Sequence, residues 1–276
     1  MKQTIISIII LIFMTLYEII NIFVNIDKNL VLNKKKFKGL TKQLPVDKID
    51  FQDLSYHKVK KYIDDSIPLI ITGIPNEFIT DFKNYSLVEN VLNNPKNNII
   101  LNQYFFPKIP KFKNFIKKYI RKTIISMIQL NGNYESGKAH IDFVSSYNIY
   151  YLHKGEKKVI IVPEQCTNYL DMNIGIDNVY VKDDINTNNR DDWLKKIPSY
   201  WSFILKQNEI LLFNNSKCIH KFKNICEQAE AFSIRVYHSD SSHLIRRNGI
   251  LNLNSAYHFS KIITNKNLLR EQNKMN

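Results

Sequence analysis

Apolar and polar positions follow three different patterns along this chain. From Thr4 to Val24 the run TIISIIILIFMTLYEIINIFV is almost continuously apolar, with Glu18 and Asn21 its strongly polar side chains. A helix of about 21 residues rises ~30 Å, the thickness of a hydrocarbon core, so 4–24 predicts one transmembrane helix. No small-x-small site precedes Lys28, which favours an uncleaved anchor over a signal peptide. Residues 25–50 are basic and irregular, punctuated by Pro45, and read as a juxtamembrane linker. A second pattern appears at 111–122, where Phe112, Phe115, Ile116, Tyr119 and Ile120 recur at helical spacing with lysines between them. That spacing predicts a helix whose aromatics pack into a core. The third pattern is a series of short β-branched runs at 65–73, 123–130, 139–144, 147–153, 157–162, 203–206, 209–213 and 231–237. Turn signals such as Asn131-Gly132 and Lys154-Gly155 separate some of them, so the series predicts a mainly β sandwich or barrel.

This divides the chain into an anchor (4–24), a linker (25–50), a β-barrel domain with an N-terminal helical flank (51–240) and a polar, basic tail (241–276). Within the domain, the stretch from Pro163 to Trp201 is polar and carries Asp183, Asp184, Asn188, Asn189, Asp191 and Asp192. It reads as a long loop or partly helical lid over one end of the barrel. No internal repeat is visible.

Composition narrows the class. Hydrophobic residues at 44% and charged ones at 23% exclude a disordered tail and a multi-span membrane protein. Three cysteines, Cys166, Cys218 and Cys226, do not make a disulfide scaffold. The formal net charge is +14, but Asn, Lys and Ile are abundant throughout, which discounts the charge as a sign of an acidic partner. Without an Arg-rich patch and stacking aromatics in one motif, nucleic-acid binding is a minor expectation. Lys28, Lys34, Lys35, Lys36 and Lys38 follow the apolar run, against Lys2 before it. The positive-inside tendency then places the folded domain on the cytoplasmic side, with lysines able to touch anionic headgroups. The sequons at Asn84 and Asn214 would matter only in a lumenal domain.

Chemistry concentrates at His140-Ile-Asp142. On a strand, residues i and i+2 project to one face, so the imidazole and the carboxylate converge. A lone H-x-D is weak, but His220 follows the apolar run 209–213, and in a double-wound barrel that region lies beside the first. Two histidines and one carboxylate form a face with open positions, suited to non-haem Fe(II). Cys218, two residues before His220, would make a zinc site of His140, Asp142, His220 and Cys218 if it joined them. His57, His153, His238, His243 and His258 read as surface or packing residues.

Gly137-Lys-Ala-His140-Ile-Asp142, followed by Asn148 to Pro163 with Gly155 at its turn, resembles the metal-binding core of the Jumonji-C (JmjC), or cupin-like, Fe(II)/2-oxoglutarate dioxygenases. The likeness continues through Trp193 or Trp201, Ile204 to Phe213, His220-Lys-Phe-Lys-Asn224 and Phe232 to Tyr237, with 67–73 similar to the family's first strand. It covers about 65–238. The resemblance implies a double-stranded β-helix (a jelly roll) with flanking helices, Fe(II) on His140, Asp142 and His220, and 2-oxoglutarate as co-substrate. It implies a lysine for the co-substrate's distal carboxylate. Counting back from Pro163 favours Lys157 and counting forward from Gly155 favours Lys158; the two face opposite ways, and Lys157 is preferred because it shares its face with Val159 and Ile161. Arg235, with Ser233, is the alternative seen in other branches. Asn148 and Tyr150 would hydrogen-bond the same co-substrate. The chain departs from the family at Gly137, where relatives often carry a hydroxyl residue, at Pro163-Glu164 in place of Pro-Pro, and at 214–219, which lacks the usual Pro and aromatics. The implied activity is hydroxylation of a protein or peptide side chain in preference to demethylation, since no reader module accompanies the domain. The rival from another class is a catalytically silent barrel that serves as an anchored binding module.

Overall fold

The computed structural model describes residues 35–78, 99–102, 110–120, 126–130, 138–142, 146–174, 178–186, 191–227 and 229–237. The expected anchor at 4–24 and the tail at 241–276 lie outside the described residues. Among the described residues no helix is long and apolar enough to cross a membrane. The strands are β1 (Lys42–Leu44), β2 (Asp47–Asp50), β3 (Leu69–Thr72), β4 (Ile99–Asn102), β5 (Ser126–Leu130), β6 (His140–Asp142) and β7 (Ser146–Lys154). They continue with β8 (Lys157–Val162), β9 (Met172–Ile174), β10 (Asn178–Val181), β11 (Ser199–Leu205), β12 (Ile210–Asn214), β13 (Ile219–Asn224) and β14 (Glu230–Tyr237). Among the described residues three α-helices accompany them: α1 (Tyr56–Asp64), α2 (Pro110–Tyr119) and the short α3 (Lys182–Asn186).

These form two seven-stranded sheets of mixed direction. The first runs β1-β11-β8-β13-β6-β10-β9 and the second β2-β3-β12-β7-β14-β5-β4. Alternation explains why the central strands read as nearly unbroken apolar runs. Tyr150 and Leu152 of β7 and Leu211 and Phe213 of β12 face Val159, Ile161 and Phe222 of the first sheet. Their neighbours Ile149, Tyr151, Ile210 and Leu212 face the other way, onto the two long helices. A strand buried on both faces has no polar side to show. Ser55 caps α1 by accepting a hydrogen bond from the Lys58 N–H, and Val59 and Ile63 bury its inner face. From α2, Phe115, Ile116 and Tyr119 join the same core, as their spacing predicts. Gly155, with φ near +80°, makes the tight turn between β7 and β8 that few other residues would allow.

Two expectations need correction. Residues 42–50 are not linker: β1 pairs in parallel with β11 and β2 in parallel with β3, so this short segment supplies an edge strand to each sheet. The stretch after Pro163 is not a lid over the barrel's end. Its strands β10 and β9 extend the first sheet beyond β6, and Cys166, Leu170, Val181, Trp193, Leu194 and Ile197 pack against Ile141, Ile160, Val162 and Ile219 on that sheet's outer face. Trp193 is buried there, whereas Trp201 joins the inter-sheet core. Asp184 holds the layer down: one carboxylate oxygen accepts the Ala139 N–H at 2.6 Å, and the other accepts Trp193 Nε1–H at 3.0 Å and Lys221 Nζ at 2.7 Å.

Candidate metal centre

β6 is three residues long, and its extended backbone turns Ile141 to the outer layer and His140 and Asp142 inward. β13 lies antiparallel beside it, with His220 directly opposite His140. A cross-strand pair of this kind brings side chains within contact. The imidazole centroids are 4.4 Å apart. Asp142 Oδ1 is 3.3 Å from His140 Nε2 and 3.6 Å from His220 Nε2. All three residues are buried, and their ligand atoms lie within 4.8 Å of one another. Two donors each ~2.1 Å from an ion and at right angles to it are about 3 Å apart, so the set closes on a metal with small adjustments.

The outer bonds of the two rings fix which nitrogen turns inward. His140 Nδ1 lies 2.8 Å from the Lys138 carbonyl and His220 Nδ1 lies 3.1 Å from the Cys218 carbonyl. A carbonyl only accepts, so each Nδ1 carries a proton and each Nε2 is the ring nitrogen turned towards the Asp142 carboxylate. Both Nε2 atoms and the Asp142 carboxylate then face one small buried volume, where a cation would be held by the carboxylate and by the lone pairs of the neutral rings. Asn215, fully buried in the β12–β13 turn, steadies the carboxylate: its side-chain Nδ2 donates to Asp142 Oδ2 at 2.6 Å, and its carbonyl accepts the Asp142 N–H at 2.9 Å. Replacing Asn215 with Ala is expected to weaken divalent-metal binding by roughly 10–100-fold with the fold retained, as measured by calorimetric titration.

Cys218 is not part of this group. Its Sγ donates to the Ser66 carbonyl at 3.5 Å, and burial pushes its thiol up to about 12, so it stays protonated. The rival four-ligand zinc arrangement is therefore not formed. Lys157 and Lys158 separate as alternation requires. Lys157 is fully buried on the inward face with Val159 and Ile161, and its Nζ donates to Asn224 Oδ1 at 2.7 Å. Lys158 turns outward to pair with Asp191 at 3.1 Å. Asn148 is buried, accepting the Ser233 hydroxyl at 2.8 Å, and Tyr150 stacks on Phe222 with centroids 4.5 Å apart. Arg235 stands opposite Asn148 in the β14–β7 register; its side chain lies outside what the structure describes.

Register relates the lysine to the candidate metal ligands. Lys157 is opposite Asn224, four residues along β13 from His220 and on the same face, which is about 13 Å of strand. Phe222 lies between them. Sequence reading overlooked Asn215, Asn224 and Asp184. Asn224 was within reach of the pattern, since 220, 222 and 224 alternate with two lysines; the other two act through partners distant in sequence. Comparison with protein-family models and with curated proteins finds no match to this chain.

Proposed function

We propose that this chain is a membrane-anchored Fe(II)/2-oxoglutarate-dependent oxygenase that hydroxylates a protein side chain. The observation carrying this reading is the inward convergence of His140 Nε2, His220 Nε2 and the Asp142 carboxylate. Two imidazoles and one carboxylate leave the remaining positions of an octahedral ion open, as a non-haem Fe(II) centre requires. Strand order supports a double-stranded β-helix. Within the two sheets, β11-β8-β13-β6 and β12-β7-β14-β5 interleave, with successive strands passing from one sheet to the other except between β8 and β11. The fully buried Lys157 supports an acidic co-substrate, because a cation so deep is suited to an anion lying along the inter-sheet space towards the metal. Asn148 and Tyr150 would flank that anion. The anchor at 4–24 and a cytoplasmic location rest on the apolar run and the lysines after it.

Bound Fe(II) would supply activation of O2 coupled to oxidative decarboxylation of 2-oxoglutarate, one oxygen atom of O2 going to succinate as CO2 leaves and the other to a substrate C–H bond. The protein's part is to hold the ion through three side chains, to keep both imidazoles in one tautomer through backbone carbonyls and to neutralise the co-substrate's far end. A cleft of about 390 Å³, lined in part by Ser66, Glu164, Trp201 and Lys217, adjoins the turn that carries Asn215 and offers room for a substrate segment.

The test is anaerobic titration of the full chain in detergent with Fe(II) and then 2-oxoglutarate. Chelation is expected to give a weak visible charge-transfer band. Zinc selectivity, or no band at all, would overturn the oxygenase reading in favour of a binding module. Lys157→Met separates the two sites: metal affinity should be unchanged, while 2-oxoglutarate should bind about 2–5 kcal/mol more weakly, roughly 30-fold to several-thousand-fold. Equal binding by this variant would remove Lys157 from the site.

A further inference from the structure

We infer that residues 35–42 form a strap that seats the folded domain on an anionic bilayer surface, with Leu40 inserted among the headgroups. The inference rests on the membrane-anchor part of the function proposed above. The strap is fastened to the domain on both sides of Leu40. Before it, the Lys35 N–H donates to the Asn168 carbonyl at 3.0 Å and the Phe37 ring meets Tyr169 edge-on with centroids 5.9 Å apart. After it, Thr41 Oγ1 donates to the Ile197 carbonyl at 2.9 Å and the Lys42 N–H to the Pro198 carbonyl at 2.9 Å. A leucine in an otherwise held segment would ordinarily be turned inward, yet Leu40 is 96% exposed.

Lys35, Lys36, Lys38 and Lys42 surround it, all exposed, and among the described residues none of the four is paired with a carboxylate. Acidic side chains of the adjoining layer are already matched: Asp183 by Lys196 at 2.8 Å and Asp192 by Lys195 at 2.9 Å. The patch therefore presents uncompensated positive charge around one apolar knob, the combination that binds anionic lipid at the interface. Only ten residues, eleven Cα–Cα steps, separate Val24, the end of the apolar run, from Lys35. Fully extended they reach no more than about 40 Å, so a membrane entered at 24 keeps the strap close to its surface. Register adds a direction. Lys42 is opposite Ser199 and Ile219 is opposite Val162, so the strap joins the first sheet at the end towards which Asp142 lies. Seating on the strap turns the metal-bearing end of the barrel to the bilayer and directs it to substrates presented at that surface.

The test labels the full chain with an environment-sensitive fluorophore at Leu40→Cys in a Cys226→Ser background, Cys166 and Cys218 being buried. The chain is reconstituted in phosphatidylcholine vesicles with and without phosphatidylserine. The expected result is a blue-shifted emission that needs phosphatidylserine, is quenched by brominated lipid and is lost when Lys35, Lys36 and Lys38 are changed to Glu. A second label at Ile225→Cys, beyond β13 at the opposite end of the sheet, should stay in water. Alkaline carbonate extraction separates the two layers of the argument. A chain that resists extraction but keeps its position-40 label in water overturns the strap and leaves the anchor standing. A chain that is extracted yet shows the lipid-dependent shift supports the strap and overturns the anchor, and extraction with no shift overturns both.

Discussion

Replacing Asp142 with Ala is expected to abolish stable divalent-metal binding while leaving a folded protein. The carboxylate is the ligand shared by both histidine contacts, 3.3 and 3.6 Å away, and it is the only anionic member of the cluster. Its loss removes one of three ligands and the charge that offsets the ion's own. The cost should therefore exceed the roughly 10–100-fold typical of an outer partner such as Asn215. Calorimetric titration with Mn(II) or Co(II), together with metal analysis of the purified protein, measures it. The chelation band with 2-oxoglutarate should vanish in the same variant. Affinity indistinguishable from the parent chain would mean that the three residues converge without serving a metal.

The largest effect on stability is expected from Asp184→Ala. This side chain is completely buried and accepts from Ala139, Trp193 and Lys221. Ala139 immediately precedes His140 and Lys221 immediately follows His220, so one carboxylate grips both histidine-bearing strands from behind. Removing it strands a buried ammonium and two N–H groups. Breaking one side of a buried ion pair typically costs about 3–5 kcal/mol. For a domain of this size that lowers the melting temperature by roughly 6–20 °C. Asp191, 3.1 Å from Lys221, retains part of the compensation and favours the lower half of that range. The double variant Asp184→Ala, Lys221→Met should recover part of the loss, because the uncompensated charge goes with it; no recovery would locate the cost in the two N–H groups. Burial raises the Asp191 carboxyl, but the bonds from Lys221 and Lys158 outweigh it and hold the group below its usual value. Its contribution is therefore complete above the ordinary carboxylate range and is lost as pH falls through that lowered value.

Many of the strands were legible because the central ones are buried on both faces. KKVIIV at β8 is bounded as expected, and the preference for Lys157 over Lys158 follows from alternation with Val159 and Ile161. The H-x-D pair and His220 meet because β6 and β13 are neighbours, a fact the spacing suggested only through the order of strands. β1 and β2 were hidden for a physical reason. KQL and DKID are edge strands joined through backbone bonds, with mostly exposed side chains, so no hydrophobic period marks them. The outer layer was misread because its aspartates looked solvated. Asp184 is instead buried by Lys221, 37 residues away, a pairing that only the fold brings about.

The division of 42–50 between the two sheets bears on where the chain tolerates cleavage. A nick within these few residues would loosen both sheets at one stroke, uncovering the backbone edges of β11 and of the apolar β3. Open edges of that kind invite pairing with another molecule. Cleavage is thus expected to be tolerated on the N-terminal side of Lys42 and to be hazardous beyond it, where the domain would tend to self-associate.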